Sequence, residues 1–506
     1  MNNNKYYITT PIYYPSANFH IGHCYTTIIA DSIARFKKLQ GYDTFFLTGS
    51  DEHGLKIENK AKQEGVTPKE YVDKIVDDAK DLWKSLDINY DKFIRTTDDY
   101  HVEAVKKIFN KLYAQGDIYL GSYEGMYCTP CESFWTNSQL VDGKCPDCGR
   151  EVSLVKEESY FFRLSKYEDR IKKLFEEQKD FISPVSRKNE MVNNFLNKGL
   201  EDLCVSRTTF SWGIPVDFDP KHVIYVWIDA LTNYITALGY LSDDDSNFKK
   251  YWPADLHLVG KEIVRFHTII WPALLMALDL PLPKQVFAHG WLKINGDKIS
   301  KSLGNYKDPR EYINTYGVDA VRYYALREVP FGSDGNFSED LLKQRTNTDL
   351  ANTLGNLLNR TISMTEKYFD GVISNPNKND EYGISLINDA KSLKEKVEKD
   401  MEELDVSKAL ENIFDVLKHC NKYIDETTPW ILAKEEKYDE LKTLLYNILE
   451  VIRMCNILLQ CFIPQTGEKV FKQLNTDKTS YDTLEFGMLE DNHKLGEKEI
   501  LFNRTI

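Results

Sequence analysis

Two short groups of residues in this chain have the types and spacing needed to hold a polyphosphate. The first is His-Ile-Gly-His at residues 20–23. If a helix begins there, its unpaired backbone N–H groups and positive dipole end favour phosphate. Gly22 would let a nucleotide approach the backbone, and His20 and His23 can donate hydrogen bonds to phosphate oxygens. The alternative is that both histidines only cap the helix.

The second group is Lys-Ile-Ser-Lys-Ser at residues 298–302. Strand-like residues stand on both sides of Asn295-Gly296, a dipeptide that favours a type I′ turn. The pattern therefore predicts a hairpin that leads into a loop carrying Lys298 and Lys301. Two lysines separated by small residues could neutralise charge as it develops on a triphosphate. The alternative is a solvent-exposed basic loop.

Four of the nine cysteines form two Cys-x-x-Cys pairs, Cys128 with Cys131 and Cys145 with Cys148. Four thiolates at this spacing suit a tetrahedral zinc ion, and four protein ligands make the site structural because no position is left for a substrate. A pair of disulfides is the alternative, which a reducing cytoplasm disfavours. The other cysteines are expected to be small buried apolar residues: Cys24, Cys204, Cys420, Cys455 and Cys461.

Alternating strand and helix patterns surround these groups. A strand is predicted over residues 6–10 and should end where Pro11 begins a turn. The helix that follows has one apolar face and ends at Gly41. Further strands are predicted over residues 223–227, 256–259 and 285–288. Such alternation predicts a doubly wound α/β fold, and beyond residue 347 the pattern becomes helical throughout.

Composition sets compatible bounds. At 506 residues the chain is long enough for about two to four domains, and 42% hydrophobic with 28% charged residues is typical of a globular protein. The opening residues lack the apolar core of a signal peptide, and no apolar run is long enough to cross a bilayer, so a cytoplasmic protein is predicted. The net charge of −14 disfavours extensive wrapping of nucleic acid and predicts limited, salt-sensitive RNA contacts.

The two groups, in this order, resemble the HIGH and KMSKS signatures of class I aminoacyl-tRNA synthetases, with Ile299 in place of the methionine. Further runs extend the resemblance along almost the whole chain and narrow it to the methionyl-tRNA synthetase family. These runs are TTPIYY at 9–14, TGSDEHG at 48–54, YVWIDA at 225–230 and GKEIVRFH at 260–267.

The resemblance implies a Rossmann-like doubly wound parallel sheet with an inserted zinc knuckle, followed by an all-α anticodon-binding helix bundle. The expected ranges are a first Rossmann half at 1–116, a connective insertion with the knuckle at 117–222, a second Rossmann half at 223–290, a lysine-loop and linking region at 291–346, and the helical domain at 347–506.

The reaction that the resemblance implies has two steps. L-Methionine and ATP, with Mg²⁺, form methionyl-adenylate and pyrophosphate. The methionyl group is then transferred to the terminal adenosine of tRNA(Met), for translation initiation and elongation. The expected catalytic residues, which clamp the transition state, are His20, His23, Lys298 and Lys301. The expected ATP-binding residues are His20, Gly22, His23, Gly260, Lys261, Glu262, Lys298, Ser300 and Lys301.

The resemblance also implies the amino acid and anticodon sites. Asp51 and the Ile12 carbonyl would hold the α-ammonium. The expected methionine-binding residues are Ile12, Tyr14, Asp51, Trp227, Ala230, Tyr234, Ile263, Phe266, His267 and Trp271. Their aromatic members could instead be ordinary core, and His53 could support the nucleotide or satisfy a core hydrogen bond. The expected anticodon-binding residues are Asn356, Arg360 and Trp430, where Trp430 could stack on a base or be a core residue.

Other functions stay open at this point. A cysteine-specific synthetase uses zinc with an open position, a small-molecule nucleotidyltransferase would not need the helical tail, and a tRNA-binding module without activity would not need both phosphate-holding groups. The insertion is too short for the editing domain of the isoleucine, valine and leucine enzymes. That favours methionine, because an apolar pocket distinguishes one methylene by only about 1–3 kcal/mol. The chain ends at Ile506 without the dimerising module of many relatives, so a monomer is expected.

Overall fold

The computed structural model describes residues 4–129, 133–135, 139–146, 148–294, 296–299, 306–329 and 332–504. In these ranges the strands are β1 (Lys5–Tyr13), β2 (Asp43–Ser50), β3 (Lys92–Arg95), β4 (Ile118–Cys128), β5 (Ser133–Trp135), β6 (Ser153–Phe162), β7 (Ile182–Ser183), β8 (Leu203–Cys204), β9 (Ser206–Arg207), β10 (Ile214–Val216), β11 (Asp219–Ile224), β12 (Leu256–Gly260), β13 (Val286–His289), β14 (Leu292–Ile294), β15 (Asp297–Lys298), β16 (Gly335–Phe337), β17 (Val372–Ile373) and β18 (His493–Lys494).

The α-helices are α1 (Ile21–Leu39), α2 (Leu55–Glu64), α3 (Pro68–Ser85), α4 (Asp99–Ala114), α5 (Glu168–Glu177), α6 (Val185–Asn194), α7 (Trp227–Thr236), α8 (Ser246–Tyr251), α9 (Trp271–Ala277), α10 (Pro309–Tyr316), α11 (Val318–Arg327), α12 (Glu339–Arg345), α13 (Leu357–Phe369), α14 (Glu381–Glu402), α15 (Val406–Thr427), α16 (Pro429–Lys434), α17 (Tyr438–Leu459) and α18 (Pro464–Leu474). Two π-helical segments, Phe266–Ile270 and Thr346–Asn356, precede α9 and α13. Of the helices in the described ranges, none is both long enough and apolar enough to cross a membrane.

The chain divides into two compact units. The first unit comprises residues 1–19, 43–84 and 89–291, and the second comprises residues 20–42, 85–88 and 292–506. Helix α1, which follows the first strand, therefore belongs to the second unit together with the helical C-terminal part.

A six-stranded parallel sheet forms the centre of the first unit, in the order β3-β2-β1-β12-β13-β7. Strands β1 and β12 are neighbours although they are far apart in the chain, so the strand order reverses between them. In doubly wound folds, ligands bind at the carboxyl ends of the strands at such a switch point. The parallel sheet confirms the predicted fold class and directs attention to the ends of β1 and β12.

Strand β1 continues further than predicted. It runs through Pro11 to Tyr13, whereas a turn was expected at the proline. Its register with β2 shifts between Thr9 and Ile12. Proline is tolerated at such an irregularity because no N–H is needed there for the ladder.

The prediction of a strand over residues 223–227 was wrong about where the strand ends and about the sheet to which it belongs. Strand β11 ends at Ile224 and belongs to the antiparallel sheet β10-β11-β9, and Trp227 begins α7. Periodicity alone does not separate a short apolar strand from the first turn of a buried helix.

Antiparallel strands dominate the range predicted as an insertion, residues 117–222. They form the sheet β5-β4-β6-β8, in which β4 pairs with β6 from Ile118 to Tyr127. Strand β7 lies in the same range of the chain but pairs with β13 of the parallel sheet.

The second unit contains helix α1, the three-stranded sheet β15-β14-β16 and the C-terminal helices. The helices after residue 346 pack through apolar stripes whose members are fully buried. These are Leu350, Leu354, Leu357 and Thr361 on one stripe, and Leu410, Ile413, Leu417 and Ile424 on another. Both stripes were predicted from their spacing, and the helical C-terminal part is confirmed.

A buried arginine ties helix α1 into this unit. Arg322 of α11 lies 2.7 Å from the carboxylate of Asp31, and neither side chain is exposed. Arg322 also donates to the carbonyls of Leu86 and Phe462, at 3.1 and 2.9 Å. Arg35 forms a second ion pair with Asp31 at 2.8 Å. Because every buried charge in this network is paired, it holds α1 in a defined position.

Candidate functional site

The two histidines of the first group cap helix α1. His20 is the N-cap residue, and its Nδ1 accepts a hydrogen bond from the Gly22 N–H at 3.1 Å. His23 Nδ1 accepts one from the His20 N–H, also at 3.1 Å, and the ring centroids are 4.0 Å apart. A ring nitrogen that accepts a hydrogen bond carries no proton, so each neutral imidazole carries its proton on Nε2. Capping therefore fixes the tautomer that presents two N–H donors, and the capping interpretation does not exclude phosphate binding.

Gly22 is required by packing at this helix start. A Cβ added there would lie 2.9 Å from Cε1 of His20, so a side chain would displace the imidazole. The same position lies 3.8 Å from Cδ1 of Ile299. The structure thus brings the second sequence group beside the first within one unit.

The hairpin predicted for the second group is present. Strands β14 and β15 pair antiparallel, with Lys293 opposite Lys298, and Gly296 has a φ of +82°, as the turn requires. The Ile299 side chain is buried. The side chain of Lys298, and all of Ser300 and Lys301, lie outside the described residues, so their predicted roles stay predictions.

At the end of β12, in the first unit, Gly260 leaves room for the side chain of Glu262. A Cβ on it would lie 2.6 Å from the Glu262 carboxylate. That carboxylate accepts a hydrogen bond from Nε1 of Trp291 at 2.6 Å, and the Lys261 ammonium lies 4.3 Å from the Trp291 ring centroid. The structure therefore groups Trp291, to which the sequence assigned no role, with Gly260, Lys261 and Glu262, which are predicted to bind ATP.

Aromatic and imidazole side chains predicted to enclose methionine lie together in the first unit. Trp227 and Phe266 stack with centroids 3.4 Å apart and an interplanar angle of 12°. His267 donates from Nδ1 to the Ile263 carbonyl at 2.9 Å, and its Nε2 accepts from the Tyr234 hydroxyl at 2.7 Å. Burial lowers the pKa of His267 to about 4, so this imidazole is neutral near pH 7. A neutral, fully hydrogen-bonded histidine suits a pocket for an uncharged thioether.

Trp271 and Tyr234 continue this cluster into the core. Their ring centroids are 5.9 Å apart, and Trp271 donates to Nε2 of His257 at 3.2 Å. His257 in turn lies 2.7 Å from the Thr9 hydroxyl on β1. Burial lowers the pKa of His257 well below its usual value. Sequence reasoning missed His257, because no local pattern connects residues 9, 257 and 271.

Asp51 and Ile12 lie at neighbouring strand ends. The Asp51 N–H donates to the Tyr13 carbonyl at 2.9 Å, and Ile12 pairs with Gly49 in the register of β1 and β2. Asp51 is largely buried. These contacts place a carboxylate-bearing residue and a carbonyl at the carboxyl end of the sheet, as an α-ammonium site requires.

Two further predicted methionine-binding residues lie at the edges of this region. The Tyr14 ring is half-buried, and the Lys56 ammonium lies 5.5 Å from its centroid. Ala230 is buried on α7, where its N–H donates to the Val226 carbonyl at 2.6 Å.

His53 has a core role. Its Nδ1 donates to one oxygen of the buried Asp229 at 2.7 Å, and His101 donates to the other oxygen at 2.8 Å. Burial alone would raise the pKa of Asp229, but the two imidazoles hold it near 2, so the carboxyl is ionised. Asp229 lies in the first turn of α7, which also carries Trp227. This contact supports the core interpretation of His53 that the sequence left open.

Three of the four predicted metal ligands form a cluster. The Sγ atoms of Cys128, Cys145 and Cys148 lie within 4.8 Å of one another, with Cys128 and Cys148 3.5 Å apart. That separation is too long for a disulfide and close to the ~3.8 Å edge of a tetrahedral zinc–thiolate site. The residues could therefore hold a metal ion, whereas Cys131 lies outside the described residues.

The remaining cysteines in the described residues are buried, as predicted. Burial raises the pKa of each of these thiols, to about 11 for Cys204. The same direction holds for Cys24, Cys420, Cys455 and Cys461. They are inert packing residues.

The predicted anticodon residues lie in the helical part of the second unit. Asn356 ends a π-helical segment, and Arg360, one turn later, forms an ion pair with Asp425 at 3.4 Å. Trp430 is the second residue of α16 and is 52% exposed, so the core alternative for it is wrong. An exposed indole is available for stacking.

Comparisons with known proteins give one consistent result. The family model described as tRNA synthetases class I (M) matches residues 6–153 and 149–362, and the model described as anticodon binding domain of methionyl tRNA ligase matches residues 374–505. Proteins named methionine–tRNA ligase from Caldanaerobacter subterraneus and Clostridium acetobutylicum are 62% and 59% identical, in each case over 99% of this chain and 78% of the relative. Mycobacterium tuberculosis methionyl-tRNA synthetase in complex with methionyl-adenylate superposes with a TM-score of 0.94 at 42% identity, over 99% of this chain and all of that chain.

Proposed function

The chain belongs to the methionyl family of class I tRNA synthetases, and from this premise we propose that it joins L-methionine to tRNA(Met) with ATP as co-substrate. The observation that carries the proposal is the match of the whole chain to a synthetase that holds methionyl-adenylate. We propose a first Rossmann half at 1–116, a connective insertion with the zinc knuckle at 117–222 and a second Rossmann half at 223–290. A lysine-loop and linking region at 291–346 and the helical anticodon-binding domain at 347–506 follow.

In the first step a methionine carboxylate oxygen attacks the α-phosphorus of ATP. A new P–O bond forms, the bond to the β-phosphate oxygen breaks, and pyrophosphate leaves. The Nε2–H groups of His20 and His23 donate to phosphate oxygens, and the ammonium groups of Lys298 and Lys301 neutralise the departing pyrophosphate. Magnesium bound with ATP adds positive charge to the same phosphates.

Methionine is selected by the cluster around His267. The Tyr234–His267–Ile263 hydrogen bonds fix the imidazole in its neutral form, so the cluster presents a polarisable, uncharged surface to the thioether. Asp51 and the Ile12 carbonyl hold the α-ammonium, which aligns the carboxylate. Such a pocket excludes a charged side chain by desolvation rather than by size alone.

In the second step a hydroxyl oxygen of the terminal adenosine of tRNA attacks the methionyl carbonyl carbon. The ester C–O bond forms, the C–O bond to the AMP phosphate breaks, and the hydroxyl proton leaves with the AMP. Asn356, Arg360 and Trp430 hold the anticodon through hydrogen bonds and stacking.

We also propose that the enzyme acts as a monomer in the cytoplasm.

Cys128, Cys131, Cys145 and Cys148 hold one structural zinc ion. The three described thiols have the spacing that a tetrahedral site needs, and a zinc ion supplies folding energy to a small module with little core of its own.

Pyrophosphate exchange with a panel of amino acids tests the proposal. We expect exchange of labelled pyrophosphate into ATP that depends on methionine, with no comparable signal from cysteine, leucine or isoleucine. Exchange that depends on cysteine would identify a cysteine-specific enzyme. If no amino acid of the panel supports exchange, methionine activation is refuted, and a nucleotidyltransferase for another small molecule or a tRNA-binding module remains.

Lys301→Ala tests the lysine loop. We expect the rate of adenylate formation in a single turnover to fall by about 10²–10³, while methionine binding stays unchanged, because the charge is needed mainly in the transition state. An unchanged single-turnover rate would remove Lys301 from the mechanism.

A further inference from the structure

A cavity of about 240 Å³ lies in the first unit, and residues assigned to methionine and to ATP form part of its lining. Its lining contains Lys261, Glu262 and Phe266. The range predicted as an insertion contributes Trp135 of β5 and Arg187 of α6. The cavity is smaller than the roughly 300–1,000 Å³ of pockets for drug-sized ligands, so it fits one nucleoside and not a nucleoside triphosphate.

Two buried donors in this lining have no hydrogen-bond partner among the residues that the structure describes. They are Nε1 of Trp135 and Nε of Arg187. The Trp135 side chain is only 4% exposed, and the other end of the Arg187 guanidinium is paired with Glu190 at 2.7 Å. A buried donor without a partner costs about 1–3 kcal/mol, so both groups indicate a ligand that brings hydrogen-bond acceptors.

The remaining lining combines aromatic faces with cations, which is the combination that binds single-stranded nucleotides. The Arg265 guanidinium lies 5.5 Å from the Trp135 ring and 4.8 Å from the Phe195 ring. The Lys261 ammonium lies over the face of the Trp291 ring. Bases stack on such rings, and cations over them neutralise the adjoining phosphates. The carboxylates of the lining can accept hydrogen bonds from a ribose hydroxyl or an exocyclic amine.

We propose that this cavity binds the terminal adenosine of tRNA during the second step. The inference rests on the proposed function and adds to it the subsite that positions the attacking hydroxyl. Phe266 belongs both to this cavity and to the cluster assigned to methionine, so a nucleoside in the cavity lies next to that cluster. Lys261 and Glu262 of this lining are also assigned to ATP, so ATP is the competing occupant.

The test compares the two half-reactions in Trp135→Phe and Arg187→Met. Trp135→Phe removes the Nε1–H donor but keeps a ring, and Arg187→Met removes the guanidinium but keeps an extended side chain. Arg170→Gln is the matched control, because Arg170 is an exposed arginine on α5 of the same range that does not line the cavity. Zinc content is measured for each variant, so that a damaged knuckle is recognised.

We expect single-turnover transfer from preformed methionyl-adenylate to tRNA(Met) to slow about fivefold for Trp135→Phe and about tenfold or more for Arg187→Met, as befits loss of a neutral and a charged donor. Methionine-dependent pyrophosphate exchange, which needs no tRNA, should stay within about twofold of the parent protein. Removing the terminal adenosine from the tRNA should weaken its binding to the parent protein and leave binding to the Arg187→Met variant unchanged.

Two outcomes overturn the inference. Equal losses in exchange and transfer, with a raised KM for ATP, would assign the cavity to ATP. Transfer rates that match the Arg170→Gln control in both variants would leave the cavity without a role. Absence of methionine-dependent exchange in the parent protein is a different result, because it refutes the proposed function itself.

Discussion

The substitution His20→Asn separates the two roles of the first histidine. The structure shows His20 capping α1 through Nδ1, and the mechanism assigns a phosphate contact to Nε2 of the same ring. Asparagine is among the best N-cap residues, and its Oδ1 takes the place of Nδ1 as the acceptor for the Gly22 N–H. Its short side chain has no atom at the position of Nε2. The variant therefore keeps the cap and deletes the phosphate donor, whereas His20→Ala deletes both.

The two effects have different sizes. Loss of an N-cap side chain costs about 0.5–2 kcal/mol of stability, so His20→Ala should be destabilised by about 1 kcal/mol and His20→Asn by only a few tenths. Loss of one preorganised donor to a transition state costs about 10²–10³ in rate, so both variants should show that loss in adenylate formation. In His20→Asn, the rate of adenylate formation should therefore fall while the free energy of unfolding stays close to that of the parent protein.

Urea denaturation and single-turnover adenylate formation measure the two quantities on the same preparations. If His20→Asn forms methionyl-adenylate as fast as the parent protein, capping is the whole role of His20 and the phosphate assignment is refuted. If His20→Asn is destabilised as strongly as His20→Ala, the capping geometry described here is wrong.

Three further predictions concern parts of the fold that support the site. Arg322→Met should destabilise the protein by about 3 kcal/mol. This is the low end of the range for breaking a buried ion pair, because Arg35 still pairs with Asp31 in the variant. An unchanged urea midpoint would contradict this prediction. The pKa of His267, depressed by burial to about 4, means that the unfolded chain binds more protons between pH 6.5 and 4, so stability falls as pH falls through that window. His267→Phe should remove this acid-sensitive contribution and weaken methionine binding, and an identical pH profile with unchanged binding would demote His267 to packing. Cys145→Ser should lower the zinc content from one ion per chain toward none and lower the thermal midpoint, and zinc retained at full occupancy would argue against the cluster as the metal site.

Much of the fold follows from local patterns. The hairpin at Gly296 was predictable because one dipeptide dictates its turn, and the parallel α/β fold class follows from the alternation of strands and helices. Trp227 was assigned to a strand but begins a helix, because an apolar run of five residues fits both periods. Pro11 was expected to end the first strand. The strand instead continues past Pro11, because it tolerates the proline at a register shift.

The site itself was predictable only in part. Its residues could be named from the resemblance, but their contacts join positions that are far apart in the chain. Asp229 receives hydrogen bonds from His53 and His101, which lie 176 and 128 residues away, and no local signal reports such a pairing. The unpartnered donors of Trp135 and Arg187 are likewise visible only after folding, because satisfaction of a hydrogen bond is a property of the packed structure.

The central claim is that this protein attaches methionine to tRNA. The most direct measurement mixes the purified protein with ATP, labelled amino acid and tRNA(Met), and follows label that becomes bound to the 3′ end of the RNA. We expect methionyl-tRNA whose formation requires ATP and an intact terminal adenosine, and no attachment of other amino acids. Label that never reaches the tRNA, or that arrives equally from another amino acid, would contradict it.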